Sequence, residues 1–151
     1  MKARETKLLD ILDRTIQFTI PIYQRAYSWD TKHCMQLWQD IKQCHEEATS
    51  GHFVGSIVYI EAGLYQAASV PKLLVIDGQQ RLTTISILLA ALAQHVNNPE
   101  VKNQVTVTTG RIVNTYLLNK EEEDDRKYKL VLNQSDNPTL QRLINGLEPL
   151  P

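Results

Sequence analysis

The chain has 151 residues, of which 42% are hydrophobic and 22% charged, and its formal net charge is −1. This length and apolar content suffice for one sizeable core. A nearly neutral chain without a Lys/Arg cluster is a poor candidate for tight DNA binding on its own. The longest apolar stretch, 85–93, is too short to cross a bilayer, and the charged N terminus lacks the apolar core of a signal peptide. We therefore expect a cytoplasmic domain with no membrane segment.

The chain begins with a short amphipathic helix and a strand. Apolar residues at helical spacing predict the helix from about Thr6 to Asp13, and the strand follows from Thr15 to Ile20. The residues that this helix is expected to turn inward are Leu8, Leu9, Ile11 and Leu12.

A longer helix and an interrupted strand come later in the first half. Asp30 or Thr31 is expected to cap the helix, and Gly51 to end it. Its apolar stripe consists of Leu37, Trp38, Ile41 and Ala48. The strand is predicted from His52 to Ile60, and Gly55 within it marks a place where a backbone or a ligand approaches closely.

The second helix contains two histidine–cysteine pairs, His33-Cys34 and Cys44-His45, which suggest a metal site at first sight. On one helix the pairs lie about 15 Å apart along the axis. Ligands of one Zn²⁺ must lie within about 2–2.3 Å of it, and a disulfide needs the cysteines close together. The spacing therefore favours core packing or surface placement for both cysteines.

The segment Asp77 to Arg81, of sequence DGQQR, lies at an abrupt change from strand to helix. The apolar run 72–76 before it predicts a buried central strand, and the apolar spacing after it predicts a helix from Leu82 to His95. The glycine permits a tight turn, and the helix that opens there presents unpaired backbone N–H groups. These donors, the helix dipole and an arginine in the first turn favour a phosphate group. The alternative is that the aspartate only caps the helix and the glycine only bends the chain.

The segment 20–29 joins the first strand to the second helix and is irregular, with Pro21 making it rigid. Its side chains suited to binding are Tyr23, Gln24, Arg25, Tyr27 and Trp29. The alternative, favoured for Trp29, is that the aromatic rings cover the edge of the core.

The last third of the chain follows a different pattern. Asn97-Asn98-Pro99 stops the central helix, and residues 61–71 before that helix form a turn. The later elements are a helix from Thr108 to Leu118, a solvated acidic turn at Glu121 to Asp125, a strand from Tyr128 to Leu132 and a helix from Pro138 to Leu147. Because the ending Leu147 to Pro151 closes no obvious element, we expect a fragment of a longer protein.

Three segments in this order resemble the ParB/sulfiredoxin-like domain at the N terminus of GmrSD-type, modification-dependent restriction proteins. They are IPIYQRAYSW from Ile20, HFVGSIVYI from His52 and VIDGQQRLTT from Val75. The resemblance covers about residues 5–97 and continues more weakly through 128–132. It implies an α/β (α+β) fold with a small mixed sheet flanked by helices. The nucleotide-binding core is then 1–97, and 98–151 is a helix-strand-helix extension of the same domain.

The resemblance also implies a function. The family domain binds a nucleoside triphosphate, often hydrolyses it, and couples that event to DNA restriction. In the family the DGQQR motif is the nucleotide site, which corresponds here to Asp77–Arg81, and the Ile-Pro-x-Tyr-Gln-Arg motif corresponds to Ile20–Arg25. DNA would be bound and cut by the full-length protein outside this chain, and a homo-oligomer is an open expectation.

On this hypothesis the triphosphate lies at the helix start after Gly78, held by backbone N–H groups and by Arg81, with Arg25 approaching from the other loop. The further nucleotide contacts expected from that loop are Gln24 and, as stacking platforms for the base, Tyr23 and Tyr27.

Asp77, Gln79 and Gln80 are the candidate catalytic residues. Asp77 would hold Mg²⁺ directly or through water, with capping or a sugar hydroxyl as alternatives. Gln79 or Gln80 would orient the attacking water. The chain has no Walker-type lysine motif, so hydrolysis is expected to be slow or conditional.

Two other functions stay open on the sequence. One is a ParB-like module that senses nucleotide or modified DNA without turnover, and the other is an interaction domain with a degenerate site. A nuclease site in this chain is not expected, because its four histidines form no His-Asn-His pattern.

Overall fold

The computed structural model describes residues 3–63 and 70–146. Its helices and strands are, in chain order, α1 (Leu8–Leu12), β1 (Gln17–Thr19), α2 (Thr31–Glu46), β2 (Val58–Glu61), β3 (Lys72–Asp77), α3 (Gln79–Val96), α4 (Pro99–Lys102), α5 (Thr109–Ile112), β4 (Leu130–Val131) and α6 (Asn137–Ile144). A π-helical turn, Val113–Leu117, continues α5, and a 3₁₀ turn, Asp124–Lys127, precedes β4. Within the described ranges no helix is long and apolar enough to cross a membrane.

The four strands form one mixed sheet in the order β2-β3-β1-β4. β1 runs parallel to both β3 and β4, whereas β2 is antiparallel to β3. At the centre of the sheet, the fully buried Phe18 is aligned with Leu73 on one side and Leu130 on the other. The expected α/β (α+β) fold, a small mixed sheet flanked by helices, is confirmed, and the strand before the DGQQR segment is central as predicted.

α3 is the helix that positions the candidate site. Leu82 and Ile85 on its inner face join the same core as Val75 of β3 and Leu140 of α6. The single residue Gly78 connects β3 to α3. The carboxyl end of a central strand and the N terminus of the longest helix are therefore held at one place, where open α/β sheets usually bind ligands.

Residues after 97 are built into this fold. β4 supplies the fourth strand, and the ammonium group of Lys129, which is 4% exposed, donates to the carbonyl oxygens of Leu12, Arg14 (2.8 Å) and Thr115 (2.7 Å). Burial lowers the pKa of Lys129, and the carboxylate of Asp13 acts in the opposite direction. One buried cation thus ties the N-terminal segment to the C-terminal third.

Several expectations for the first half were wrong in detail. Leu9 is 45% exposed because it lies roughly 100° around α1 from the inward residue Leu8. α2 ends at Glu46, before Gly51, since Ala48 adopts a left-handed conformation (φ 49°) that stops the helical hydrogen bonds.

The apolar stripe expected on α2 is also largely exposed. Leu37 is its one buried member in the described residues, whereas Trp38 and Ile41 are each 38% exposed. Ala48 lies beyond the helix. The capping expectation is met by Asp30, whose carboxylate accepts a hydrogen bond from the His33 N–H at 3.1 Å.

The strand expected over His52–Ile60 is regular only from Val58. Gly55 (φ 107°) turns the chain, and Ser56 and Ile57 then pack against Gly78 and do not extend the ladder. The close approach expected at Gly55 is made by the Arg81 side chain, and the backbone of Ser56 and Ile57 approaches Gly78.

The later boundaries shift as well. α3 begins at Gln79, three residues before the expected Leu82, and the helix expected to Leu118 ends in the π turn, where Leu118 N–H bonds to the Val113 oxygen at 2.9 Å. The strand expected over 128–132 is regular at Leu130–Val131 only. The last helix, expected to reach Leu147, ends at Ile144. Most of the 61–71 turn lies outside the described residues.

Candidate functional site

The first turn of α3 has no side-chain cap. Its N-cap residue is Gly78, which has a φ of 95° and no side chain to accept a hydrogen bond. The first helical hydrogen bond runs from Leu82 N–H to the Gly78 oxygen at 3.1 Å. The backbone N–H groups of the first turn therefore remain available to an anion.

Asp77 does not act as the helix cap. Its carboxylate accepts a hydrogen bond from the N–H of the adjacent Gly78 at 2.9 Å and does not reach the first turn of α3. The carboxylate is exposed at the end of β3. In the described residues, no group of three or more His, Cys, Asp or Glu side chains comes together as a metal cluster. Any Mg²⁺ here would need phosphate and water oxygens beside this single carboxylate.

Arg81 lies on the other side of the turn. Its Nη1 donates to the Ser56 oxygen at 3.3 Å, and its guanidinium rests against the backbone of Gly55. The side chain is partly exposed and faces a cleft.

This cleft, which we call the DGQQR cleft, has a volume of about 220 Å³. It is lined by Gln24, Arg25, Trp29, Ile76, Asp77, Gly78, Gln79, Gln80 and Arg81. Arg25 and Arg81 are 56 positions apart in sequence but line the same cleft. With two arginines against the single carboxylate of Asp77, its lining is net positive.

The loop that carries Arg25 is hydrogen-bonded to α3 and β3 by side chains. The amide of Gln80, which is 7% exposed, accepts from Ser28 N–H at 2.8 Å and donates to the Ala26 oxygen at 3.2 Å. Gln24 Nε2 donates to the Ile76 oxygen at 3.2 Å. Both ends of the Gln80 amide are thus used to hold the loop.

Tyr27 holds the same loop at a second place. Its hydroxyl bonds to Thr84 of α3 at 2.8 Å and lies 3.5 Å from the Cys34 sulfur, and its backbone N–H donates to Asp136 at 2.8 Å. Burial, together with the hydrogen bond to Cys34, raises the pKa of Tyr27 to about 12. The phenol is therefore neutral and its ring is partly buried, whereas Tyr23 on the same loop is 73% exposed.

Gln79 and Trp29 also line the DGQQR cleft. Trp29 stacks on His33, with ring centroids 5.5 Å apart, and packs against the core. It therefore covers the edge of the core as expected, and it also lines the cleft. The described residues offer no hydrogen-bond partner to the Gln79 amide, which leaves it available to a ligand.

A second cavity of about 10 Å³, the size of one water, adjoins the first and shares Arg25, Gln79 and Gln80 with it. Its other side comes from the C-terminal third, including Asn133 and Asp136.

Sequence reasoning missed these two residues, because no local pattern links them to the DGQQR segment. It also missed Ser56 as the partner of Arg81, although the glycine in HFVGSIVYI signalled a close approach there.

Comparison with known proteins bears on this site. A family model described as "GmrSD restriction endonuclease, N-terminal domain" matches residues 8–151. The matched range contains both cleft-forming segments and the C-terminal residues that reach the second cavity, so it extends the resemblance seen in the sequence. Among curated proteins no match is found.

Proposed function

Because the chain belongs to the family of GmrSD restriction endonuclease N-terminal domains, we propose that its DGQQR cleft binds a nucleoside triphosphate and that this binding regulates DNA restriction. The family gives the chain a role in DNA restriction, and we assign DNA contact to the full-length protein. The observation that carries the proposal is the convergence of Arg25 and Arg81 on an uncapped helix start.

The physical argument concerns the phosphate chain. Backbone N–H groups at a helix start attract anions, and a guanidinium adds paired charge-assisted hydrogen bonds. A hydrogen bond to a charged group contributes about 1.5–3 kcal/mol. Two arginines and the helix start together therefore favour binding of a multiply charged phosphate group.

The size of the cleft indicates that only part of the nucleotide lies inside it. At about 220 Å³ it is smaller than pockets that enclose a whole drug-sized ligand, which measure roughly 300–1,000 Å³. We assign the phosphates to the cleft and the sugar and base to its rim. We assign base stacking to the exposed ring of Tyr23, which precedes the cleft residue Gln24 in sequence, whereas Tyr27 is engaged with Thr84.

Turnover, where it occurs, would use Asp77 and Gln79. A Mg²⁺ ion held by Asp77 and the phosphates would neutralise charge that develops on the phosphate oxygens. Gln79, whose amide has no partner among the described residues, lines the cleft and is suited to orient water, whereas the amide of Gln80 holds the loop. Within the proposal Gln80 therefore acts by positioning Arg25.

A nucleotide-sensing module without turnover is the second candidate. It is favoured by the single carboxylate at the cleft, because phosphoryl-transfer sites generally hold Mg²⁺ with more than one protein group.

Titrating the chain with each of the four nucleoside triphosphates and Mg²⁺, read by calorimetry and by phosphate release, separates the two candidates. Binding with release of phosphate supports turnover, and binding without release supports sensing. Arg81→Ala should weaken binding about tenfold or more. Arg111→Ala, which removes an exposed guanidinium on α5, is the matched control and should not change it. Unchanged affinity in a folded Arg81→Ala variant would reject the phosphate role.

A further inference from the structure

The segment Gly55–Ile57 forms a wall beside the first turn of α3, and we refer to it as the 55–57 wall. Its contacts are with two parts of the DGQQR segment, the backbone of Gly78 and the side chain of Arg81. These contacts bridge residues 25 apart in sequence that belong to neither a shared helix nor a shared strand pair.

The Arg81 side chain occupies the space that a side chain at Gly55 would take, so a larger residue at 55 would have to displace it. A Cβ atom placed there would lie 2.5 Å from Arg81 Nε and 2.6 Å from Arg81 Cζ, closer than real Cβ contacts. The guanidinium therefore packs directly against the glycine backbone. The φ of 107° at this residue is also a conformation that favours glycine.

Gly78 meets the same wall from the other side. A Cβ atom there would lie 2.8 Å from the Ser56 oxygen and 3.1 Å from Ile57 Cα. The Ser56 oxygen thus packs on the Gly78 turn while it accepts the hydrogen bond from Arg81 Nη1. The wall, the turn and the guanidinium form one close-packed unit.

We infer that Gly55 is a positioning residue for phosphate binding: its missing side chain lets Arg81 lie against the wall with one N–H on the Ser56 oxygen. A guanidinium has five N–H donors in a rigid fork, so the remaining edge is presented to the cleft in a fixed orientation. This inference rests on the proposed function, because it assigns to Gly55 the orientation of an arginine that binds phosphate.

Gly55→Ala tests the inference, with Gly63→Ala as the matched control. Gly63 has a comparable positive φ of 85° but, among the described residues, nothing within 4 Å of a Cβ atom. Both substitutions strain the backbone, whereas only the first displaces Arg81. With inorganic triphosphate as the probe in calorimetry, Gly55→Ala should weaken binding about tenfold, as Arg81→Ala does, and Gly63→Ala should leave it unchanged.

A double-substitution cycle shows whether the effect passes through Arg81. In the Arg81→Ala background, Gly55→Ala should cause no further loss of triphosphate binding. The same cycle can be read without ligand as thermal stability. Gly55→Ala should lower Tm by about 3 °C more than Gly63→Ala, and Arg81→Ala should remove that excess by making room for the new methyl group. The Tm measurement still tests the inference if the Gly55→Ala variant is too unstable for titration.

The outcomes separate the inference from the proposed function. If Arg81→Ala weakens binding but Gly55→Ala behaves like Gly63→Ala, Gly55 does not position the arginine. A Gly55→Ala loss that persists in full in the Arg81→Ala background overturns the inference in the same way. If Arg81→Ala itself leaves triphosphate binding unchanged, the proposed phosphate role fails.

Discussion

Gln80 offers the clearest perturbation of the site, because its buried amide makes two hydrogen bonds from α3 to the loop that carries Arg25. Replacing it with Ala removes the hydrogen bonds to the Ser28 N–H and the Ala26 oxygen. Each such bond contributes about 0.5–1.5 kcal/mol, and a buried group left unpaired costs more. We therefore expect Gln80→Ala to destabilise the docked loop by about 2 kcal/mol.

Hydrogen exchange at the Ser28 amide measures this directly, because that N–H is the donor to Gln80 Oε1. A loss of about 2 kcal/mol corresponds to roughly 30-fold faster exchange at this amide. Triphosphate binding should weaken in parallel, since Arg25 is then held less firmly at the cleft.

Gln79→Ala is the matched control for this experiment. Gln79 is the preceding residue of the same helix and lines the same cleft, but the described residues give its amide no partner. Exchange at Ser28 should be unchanged in this variant. Equal exchange rates at Ser28 in the two variants would refute the assignment of Gln80 as the tie that holds the loop.

Two further predictions concern the buried cation and the carboxylate at the cleft. Lys129→Met should destabilise the fold by about 2–4 kcal/mol in urea unfolding, because three carbonyl oxygens lose their partner, while the exposed Lys120→Met should have little effect. Burial lowers the pKa of Lys129 below its usual 10.5, so the unfolded chain binds this proton more tightly than the folded chain does. The free energy of unfolding should therefore rise with pH between the folded-state pKa and 10.5. A rise that persists unchanged in Lys129→Met would contradict this cause. Asp77→Asn should stay folded and keep most triphosphate binding but lose any Mg²⁺-dependent phosphate release, and full release by this variant would remove Asp77 from the mechanism.

The central architecture was predictable because local signals agreed with the fold. A bounded apolar run, then Asp-Gly, then apolar residues at helical spacing predicted β3, the turn and α3, and all three are present with the helix three residues longer at its start. Asp30 likewise caps α2 as its position before the helix suggested. In each case the local structure is determined by residues within a few positions in sequence.

The parts that were missed depend on contacts distant in sequence. In the sequence Gln80 resembles a ligand-binding amide beside Gln79. Only the folded loop shows that its amide is hydrogen-bonded to Ala26 and Ser28. The bond from Arg81 to Ser56 and the buried ammonium of Lys129 are likewise set by tertiary packing. The amino-acid pattern could therefore indicate where the candidate site lies but could not show which residue has which role in it.

The most direct test of the proposed phosphate site is a two-dimensional NMR titration of the chain with inorganic triphosphate. It follows each backbone amide separately, including those of the uncapped first turn of α3. The proposal predicts that the largest saturable shifts occur at the amides of Gln79, Gln80 and Arg81. Shifts centred elsewhere on the chain, or none at saturating triphosphate, would contradict it.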